Sequence, residues 1–344
     1  MKTYAVSVII PAFNAEKYIS RCLNSLIMQK GIEVEIVIVN DGSTDNTEKI
    51  CKEFLEKYDS VTIISKENEG QGIARNVGIE HASGEYIGFV DADDYVEPNM
   101  FRCLYDYAKE TKSDWSYSYM EGETFLKSDF VKQYKDCVIA DTAKAKSYIK
   151  SLLLGGLPTD KYDSFLGMSV CRSIFRRTII MKYNLRFVSE RLVNSEDLLF
   201  NLDYLNRCDR ICMVNKIFYH YCHDNPCSFS LKQNSKRYFM FKELYAKLLE
   251  YSENQEEKLR ATRRFLANIR VTIVEKSRWC GIKNFKNTEK EIREILEDQQ
   301  LLQVLETYPI SKLPWMQKSY FYLMKYKLVL LLIIVAKLRY FILQ

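Results

Sequence analysis

The sequence of 344 residues lacks several patterns that would place it in a common class of protein. Its ten cysteines form no Cys-x-x-Cys pair, so we expect reduced thiols rather than a disulfide framework or a zinc site. No secretory signal, internal repeat or low-complexity tract is apparent, and the basic residues adjoin apolar stretches instead of forming a spaced polar surface. These absences argue against a secreted protein and against nucleic-acid binding, and they favour a cytoplasmic protein.

A long apolar run is also missing. The apolar stretch at residues 328–336 holds nine residues, whereas a helix that crosses a membrane needs about 20. No acidic residue follows Glu306, and basic and aromatic residues surround this stretch. We therefore predict that a tail spanning residues 311–344 associates peripherally with the inner face of the cell membrane. The alternative is an apolar helix that docks on its own domain or on a second subunit, which leaves a homodimer open.

The N-terminal part of the chain alternates between short apolar runs and helical patterns, as βαβ units do. Apolar runs at residues 5–10, 34–39 and 61–65 are each followed by a turn and a helical pattern. Since the carboxyl ends of parallel strands form the ligand-binding edge of an open α/β sheet, we expect Phe13 and Asp41 at that edge. The pattern predicts an α/β fold with a mixed, mainly parallel sheet flanked by helices.

A fourth apolar run, residues 86–90, leads directly into the carboxylates of Asp91, Asp93 and Asp94. Clustered carboxylates repel one another unless a cation or hydrogen bonds offset the repulsion, and their oxygens suit Mg²⁺ or Mn²⁺. The cluster indicates a divalent metal site, although a loop of helix-capping acids explains it equally well when it is taken alone. The preceding stretch NEGQGIARN has glycines that let backbone approach a ligand, and its Arg75 suggests that this ligand carries phosphate.

A second acidic pair, Glu196 and Asp197, opens a helical pattern in the stretch NSEDLLFNLDYL. Ser195 can cap this helix, and acids suit its first turn because the helix dipole favours negative charge there. The leucines that follow are spaced to face a core, which fixes the direction of the two acids. The pair is therefore either an ordinary helix start or two functional carboxylates.

Four motifs in the first hundred residues resemble those of the family 2 glycosyltransferases, inverting enzymes with the Rossmann-like GT-A fold, of the type that builds bacterial capsule, exopolysaccharide or lipopolysaccharide. The resemblance is specific because the motifs agree in order and spacing, and it weakens further along the chain. In chain order they read SVIIPAFNAEKYISRCLNSL, IVIVNDGSTDNT, NEGQGIARNVGI and GEYIGFVDADDYVEP.

The resemblance implies a nucleotide diphosphate sugar as the donor, with a uridine nucleotide expected. Phe13 would stack on the base, Asp41 would hydrogen-bond it, and the backbone around Pro11 would line the base pocket. Arg75 would face the donor sugar or the diphosphate.

The resemblance also implies Mg²⁺ or Mn²⁺ at the diphosphate. Asp93 would ligate this ion, and Asp91 would lie near the ribose and the ion. His223, in the loop beyond a predicted strand, is a further candidate ligand, and His220 is its alternative. An ordinary strand histidine is the simpler interpretation of each.

In similar enzymes the Asp of the second acidic pair is the catalytic base. Asp197 is therefore predicted to take the proton of the acceptor hydroxyl, and Glu196 to orient it or to hydrogen-bond nearby. The acceptor would be a hydroxyl of a growing cell-surface polysaccharide or of a polyprenyl-linked oligosaccharide. The alternatives are a glycosyltransferase that acts on protein or teichoic acid, and a catalytically silent scaffold protein that binds nucleotide sugars.

We predict one GT-A domain with a helical extension. Residues 1–110 would form its donor-binding half, residues 111–230 its acceptor-binding half, and residues 231–344 the C-terminal helical region. Within that region, amphipathic patterns predict helices at residues 236–251, 255–280 and 287–305.

Overall fold

The computed structural model describes residues 3–119, 129–163, 166–222, 234–278, 280–281 and 284–342. The chain divides into two compact units, the first formed by residues 1–150 and 166–231 and the second by residues 151–165 and 232–344. The second unit thus takes in a segment that lies, in the sequence, inside the predicted acceptor-binding half. The division of the first unit into donor-binding and acceptor-binding halves stays a prediction.

The first unit contains a large sheet and a short two-stranded ribbon. Within the described residues, the sheet is formed by nine strands: β1 Val6–Ala12, β2 Val34–Asp41, β3 Val61–Lys66, β4 Tyr86–Phe89, β6 Trp115–Tyr119, β7 Lys132–Tyr134, β8 Cys137–Ala140, β9 Ser173–Arg176 and β10 Ile211–Ile217. The ribbon pairs β5 Tyr95–Val96 with β11 Tyr219–His220. The helices are α1 Ile19–Ile27, α2 Thr47–Lys57, α3 Gln71–His81, α4 Met100–Thr111, α6 Arg177–Lys182 and α7 Glu196–Leu205, together with α5 Ala143–Leu154, whose last four residues belong to the second unit.

The strand order of the sheet is β3-β2-β1-β4-β9-β6-β10-β8-β7. The first four strands are parallel, and β9 runs antiparallel to both of its neighbours, β4 and β6. Strand β10 is parallel to β6, whereas β8 is antiparallel to β10 and to β7. Within the described sheet only β9 and β8 oppose the common direction, which confirms the predicted mixed, mainly parallel sheet flanked by helices.

The core of the sheet comes from continuous apolar strands, as expected of strands that are covered by helices on both faces. In β1, Val8 pairs with Ile36 and Ile9 with Val37, and all four side chains are buried. Ahead of helix α1, Ala15 donates its N–H to Thr47 Oγ1 at 2.7 Å, which joins the loop after β1 to the first residue of α2.

The second unit is helical, with α8 Arg237–Tyr251, α9 Gln255–Arg278, α10 Phe285–Leu296, α11 Gln299–Thr307, α12 Trp315–Lys325 and α13 Val329–Ile342. The prediction of a single helix over residues 287–305 is wrong, since α10 and α11 are separated at Asp298. There the backbone is extended, and Asp298 Oδ1 accepts hydrogen bonds from the N–H groups of Gln300 at 3.0 Å and Leu301 at 3.2 Å. A side-chain cap therefore starts a new helix inside an amphipathic pattern that otherwise continues.

Arginines of α9 hold the segment of residues 151–163 in this unit. Arg263 is fully buried and donates from Nε to Asp163 Oδ1 at 2.9 Å. Arg264 donates to the carbonyl oxygens of Leu154 at 2.9 Å and Leu153 at 2.6 Å, where α5 ends. A helix terminus leaves carbonyl groups without intrahelical partners, and Arg264 satisfies two of them.

None of the helices in the described part of the chain combines the length and the apolar character that crossing a bilayer demands.

Replacing Asp298 by alanine should destabilise the protein by about 1 kcal/mol, because α11 loses its N-cap. Asp298→Asn is the matched variant, since asparagine caps helices about as well as aspartate. Urea denaturation monitored by circular dichroism measures both. Equal destabilisation by the two variants would instead assign the effect to the ion pair between Asp298 and Lys242, which is 2.6 Å long.

Candidate active site

Three adjacent parallel strands deliver predicted site residues to one edge of the sheet. Pro11 lies near the end of β1, Asp41 ends β2, and Asp91 follows β4 by two residues. Phe13 lies just beyond β1, and 47% of its surface is exposed, an unusual position for a large aromatic side chain. The exposed Phe13 ring, Asp41 and Asp91 therefore lie at the same edge of the sheet, where the sequence predicts them.

The loops that carry these residues are tied to each other. Asn14, in the left-handed region with φ of 48°, accepts a hydrogen bond from Thr44 N–H at 2.8 Å through Oδ1. Glu16 accepts from Asn46 N–H at 3.0 Å. These bonds fix the loop after β1 against the loop after β2, and so they fix the position of Phe13.

Arg75 is the centre of the site. Only 1% of its surface is exposed, and its guanidinium contacts three carboxylates, those of Asp91 at 2.8 Å, Glu196 at 2.9 Å and Asp197 at 2.8 Å. Although burial opposes it, the charges of Asp197 and Asp91 hold the pKa of Arg75 well above its usual value. One cation thus joins the carboxyl end of β4 to the N-terminus of α7, and these predicted site residues form one cluster.

The two acids of α7 are buried next to each other. Burial raises the pKa of the Glu196 carboxyl to about 7, the Asp197 carboxylate adds to this rise, and Arg75 opposes it. Burial likewise raises the pKa of Asp197, again against the effect of Arg75. Asp197 also accepts a hydrogen bond from Val170 N–H at 3.2 Å, and Glu196 accepts one from Gln71 Nε2 at 2.6 Å. An acid with a raised pKa is a stronger base than a free carboxylate, and it can still be ionised near neutral pH.

Ser195 precedes these acids as predicted, but it does not cap α7 with its side chain. Its backbone is left-handed, with φ of 93°. A residue other than glycine is rarely found there, and such strain persists where the surrounding structure enforces it. The chain therefore enters α7 through a strained residue directly before Glu196 and Asp197.

An aromatic floor supports Arg75. The Phe187 ring lies 5.3 Å from the Arg75 guanidinium carbon and stacks on Phe200, with ring centroids 4.1 Å apart. Phe89, at the end of β4, packs edge-on against both rings. Contact with an aromatic face favours a desolvated guanidinium, so the floor stabilises the buried charge.

Asp41 is engaged by the loop that follows β3. Its carboxylate accepts from Lys66 Nζ at 3.0 Å, Glu69 N–H at 3.0 Å and Gly70 N–H at 2.8 Å. Asn68 Nδ2 donates to the same carboxylate at 3.2 Å. Asp41 therefore orders the loop that leads into α3, and its predicted contact with a nucleotide base stays a prediction.

The three acids after β4 have different surroundings. Asp94 is buried, and it accepts hydrogen bonds from the Tyr219 hydroxyl at 2.5 Å and from Cys222 N–H at 2.8 Å. Burial raises the pKa of Asp94 to about 7, with the charge of Asp91 adding to the rise. Asp94 thus joins the turn after β4 to the segment after β11, which leaves Asp91 and Asp93 as the candidate metal ligands.

These two carboxylates fit a metal that arrives with its own phosphate ligands. The side chain of Asp91 is 30% exposed, and Asp93 is half-buried. In the part of the chain that the structure describes, no three His, Cys, Asp or Glu side chains are gathered closely enough to hold a metal by themselves. One or two carboxylates plus substrate phosphates are what Mg²⁺ uses in phosphate-transferring enzymes. The donor set therefore suits Mg²⁺ or Mn²⁺ at a diphosphate.

Of the two histidines considered as ligands, only His220 lies in the described residues. Its Nε2 atom is 2.7 Å from Glu97 Oε1, and its ring stacks on Tyr95 with centroids 4.5 Å apart. His220 is thus a strand histidine with partners of its own. His223 falls outside the described residues, so its role as a ligand stays a prediction.

Two residues that contact the acidic pair, Gln71 and Val170, are not predicted from the sequence. Gln71 lies one helical turn before Arg75, and that i, i+4 spacing on α3 is a signal that could have identified it. Val170 contributes only its backbone N–H, for which the sequence holds no signal.

Comparison with known proteins identifies relatives over much of the chain. The profile of the family described as "Glycosyl transferase family 2" matches residues 7–127. The Escherichia coli K12 protein "Uncharacterized glycosyltransferase YibD" is 31% identical over 244 residues, which cover 68% of this chain and 66% of that protein. The chain spans less than two thirds of the length of the first curated relatives that it matches.

Solved structures share the fold. S. aureus TarS 1–349 in complex with UDP-GlcNAc aligns with a TM-score of 0.65 at 21% identity, over 96% of this chain and 90% of TarS. The mannosyltransferase PcManGT from Pyrobaculum calidifontis, in complex with GDP-Man and Mn²⁺, aligns with a TM-score of 0.50 at 15% identity, over 98% of this chain and 87% of PcManGT. The likeness confirms the predicted GT-A fold.

Replacing Arg75 by methionine should destabilise the protein by about 3–5 kcal/mol at pH 8, because three carboxylates lose their buried counter-charge. The loss should shrink toward pH 5. Arg75 lowers the pKa of Glu196 and of Asp197, so its removal raises the pKa of both carboxyl groups further. The native state of the variant therefore takes up protons that the native wild type does not, and this uptake offsets part of the loss as the pH falls.

Urea denaturation at a series of pH values measures both effects. Arg186→Met is the matched control, since Arg186 is partly exposed and its nitrogen lies 3.7 Å from Glu80, a pair worth less than about 1 kcal/mol. A loss for Arg75→Met that is the same at pH 5 and pH 8 would contradict this electrostatic account.

Proposed function

Because the chain belongs to glycosyl transferase family 2, we propose that it is an inverting enzyme that moves a sugar from a nucleotide diphosphate sugar to an acceptor hydroxyl. The observation that carries the proposal is the convergence of Asp91, Asp197 and Glu196 on the buried Arg75. A site of this kind needs one group that accepts a proton and another that faces a departing diphosphate. The acidic pair supplies the first, and the edge at Asp91 and Asp93 supplies the second.

The proposed donor is a uridine diphosphate sugar. TarS 1–349, which shares the fold over 90% of its length, was solved with UDP-GlcNAc, and this supports a UDP-sugar here. The exposed Phe13 ring offers the flat surface on which a base can stack, beside the backbone at Pro11. Asp41 would contact the base if the loop that it holds rearranges around the nucleotide.

The proposed metal is Mn²⁺ or Mg²⁺. PcManGT was solved with GDP-Man and Mn²⁺, which supports a metal at the donor. Asp93 and Asp91 would hold the ion, with His223 as a further candidate. When bound, it would neutralise charge that develops on the leaving diphosphate.

In the proposed reaction, Asp197 acts as the general base. A bond forms between the acceptor oxygen and the anomeric carbon as the bond from that carbon to the diphosphate oxygen breaks. The hydroxyl proton passes to Asp197, and the nucleoside diphosphate leaves with the electron pair. Arg75 keeps Asp197 ionised despite its burial, and Glu196 shares Arg75 and holds Gln71. The acceptor we propose is a growing cell-surface polysaccharide or a lipid-linked oligosaccharide.

We also propose that α13 rests on the inner face of the cell membrane. One face of this helix is buried and packs against α9, yet the opposite face is aliphatic as well. The exposed side chains are Leu330, Leu331, Ile334, Val335 and Leu338. Lys325 and Lys327 precede them, and no acidic residue follows Glu306, so the surface suits an anionic lipid headgroup layer.

Purified protein should release UDP from a UDP-sugar when Mn²⁺ is present, as measured by coupled nucleotide detection over a panel of donors. Asp197→Asn should lower turnover by ~10²- to 10⁴-fold, the usual contribution of a general base, while calorimetry shows UDP binding nearly unchanged.

Asp203→Asn, on the same helix, is the matched control and should keep full turnover. Loss of UDP binding together with turnover in Asp197→Asn would contradict the base assignment. UDP binding by the wild type without release from any donor or transfer to any acceptor would point to a silent scaffold.

The double variant Ile334→Ser, Leu338→Ser should bind phosphatidylglycerol-containing vesicles at least about tenfold more weakly than the wild type, because two apolar side chains no longer enter the lipid. Co-sedimentation measures this binding. Leu55→Ser, an exposed leucine on α2, is the matched control. If the wild-type protein forms dimers and does not bind the vesicles, the result would favour the alternative that this face contacts a second subunit.

A further inference from the structure

The N-terminus of α3 lies against the segment of residues 186–191, which connects α6 to α7. Gly70 precedes the helix and provides no side-chain cap. Instead, Glu190, only 5% exposed, accepts a hydrogen bond from Gly72 N–H at 3.0 Å through Oε2. A carboxylate at a helix N-terminus satisfies a free N–H group and is favoured by the helix dipole, so Glu190 caps α3 from a distant part of the chain.

The glycines of this stretch make room for that segment. Gly70 has φ of 99°, and a Cβ atom placed there would lie 2.0 Å from Glu190 Oε1. A Cβ atom on Gly72 would lie 2.5 Å from the carbonyl oxygen of Val188. The sequence indicates that these glycines let backbone approach a ligand, whereas the structure places the protein's own carboxylate and carbonyl against them.

Two further contacts hold α3 to the same segment. The Asn76 side-chain amide donates to the Phe187 carbonyl and accepts from the Phe187 N–H, both at 2.8 Å. Arg191 donates to the carbonyl oxygen of Asn68, ahead of the helix, at 3.3 Å. The segment therefore contacts the loop before α3 and the first two turns of that helix.

The contacts between this segment and α3 connect the two helices, α3 and α7, that meet at the acidic cluster. Helix α3 carries Gln71 and Arg75, which contact the acidic pair at the start of α7. The same segment also carries Phe187, whose ring lies under Arg75, and the chain enters α7 six positions after Glu190. A change in the orientation of the first turn of α3 would move the Arg75 guanidinium away from Asp197.

We propose that Glu190 is a positioning residue for sugar transfer, which holds α3 so that Gln71 and Arg75 meet the acidic pair in register. The inference rests on the proposed function of that pair. Glu190 itself acts on the backbone of Gly72 and touches none of Arg75, Glu196 and Asp197 in the described contacts. Its effect therefore reaches the reaction through Arg75.

The test measures kcat and KM for the UDP-sugar together with thermal stability. Glu190→Ala should lower kcat by about 10- to 100-fold, as small misplacements of catalytic groups do, and should change the donor KM less than about threefold. Glu190→Gln should recover most of kcat, because its amide oxygen can still accept from Gly72 N–H. Glu56→Ala, which removes an exposed carboxylate at the C-terminal end of α2, is the matched control and should match the wild type.

Unchanged kcat in Glu190→Ala, with only a lower melting temperature, would overturn the inference and leave Glu190 as a structural cap. Hydrogen exchange tests it without any turnover. In Glu190→Ala, exchange should rise both in α3 residues 72–76 and in α7 residues 196–199. Faster exchange in α3 alone would overturn the positioning role, whereas a wild type that transfers no sugar, with exchange rising in both helices, would count against the proposed function only.

Discussion

The structure depends on one buried cation shared by three carboxylates. Arg75 cannot be desolvated without counter-charges, and the acids around it cannot be buried without Arg75. Three negative groups against one positive group leave an excess of negative charge. Burial and the neighbouring Asp197 raise the pKa of Glu196 to about 7, so a proton on Glu196 would offset part of this excess. The positions of α3, of the turn after β4 and of α7 therefore depend on one another through the charges that meet at Arg75.

The sequence predicts those parts of the site whose signals are local. Apolar runs followed by turns locate the strand ends with Phe13 and Asp41, and the spacing of leucines after Asp197 orients α7. The sequence does not predict which charged side chains contact each other. Arg75 and Glu196 are 121 positions apart, and no periodicity or turn pattern relates one to the other. Asp94 illustrates the same limit, since its neighbours suggest a metal ligand, whereas burial beside Tyr219 makes it a structural acid.

Differences between expected and observed helices also have a physical cause, the competition between side-chain caps and continuing helices. Asp298 ends one helix and starts another because its carboxylate satisfies two N–H groups that a continuous helix would have bonded internally. The opposite case occurs at α3, where no neighbour in sequence caps the helix and Glu190, 118 positions from Gly72, does so. The amphipathic pattern locates the helical stretches, whereas their starts depend on caps that come from a neighbour in sequence at α11 and from a tertiary contact at α3.

The order of strands explains why residues 1–110 and strands β6 and β9 belong to one unit. Strand β9 lies between β4 and β6 and is hydrogen-bonded to both, so a strand from the predicted acceptor-binding half covers the edge that β4 would otherwise expose. Just after β4, Asp91 reaches Arg75, and just before β9, Val170 donates to Asp197. Strand pairing and the contacts of the charged cluster therefore join the same two parts of the chain, and the residues that make them lie within a few positions of each other. Neither half could separate from the other without exposing both an unpaired strand and an uncompensated buried charge, so the site forms only when the whole unit folds.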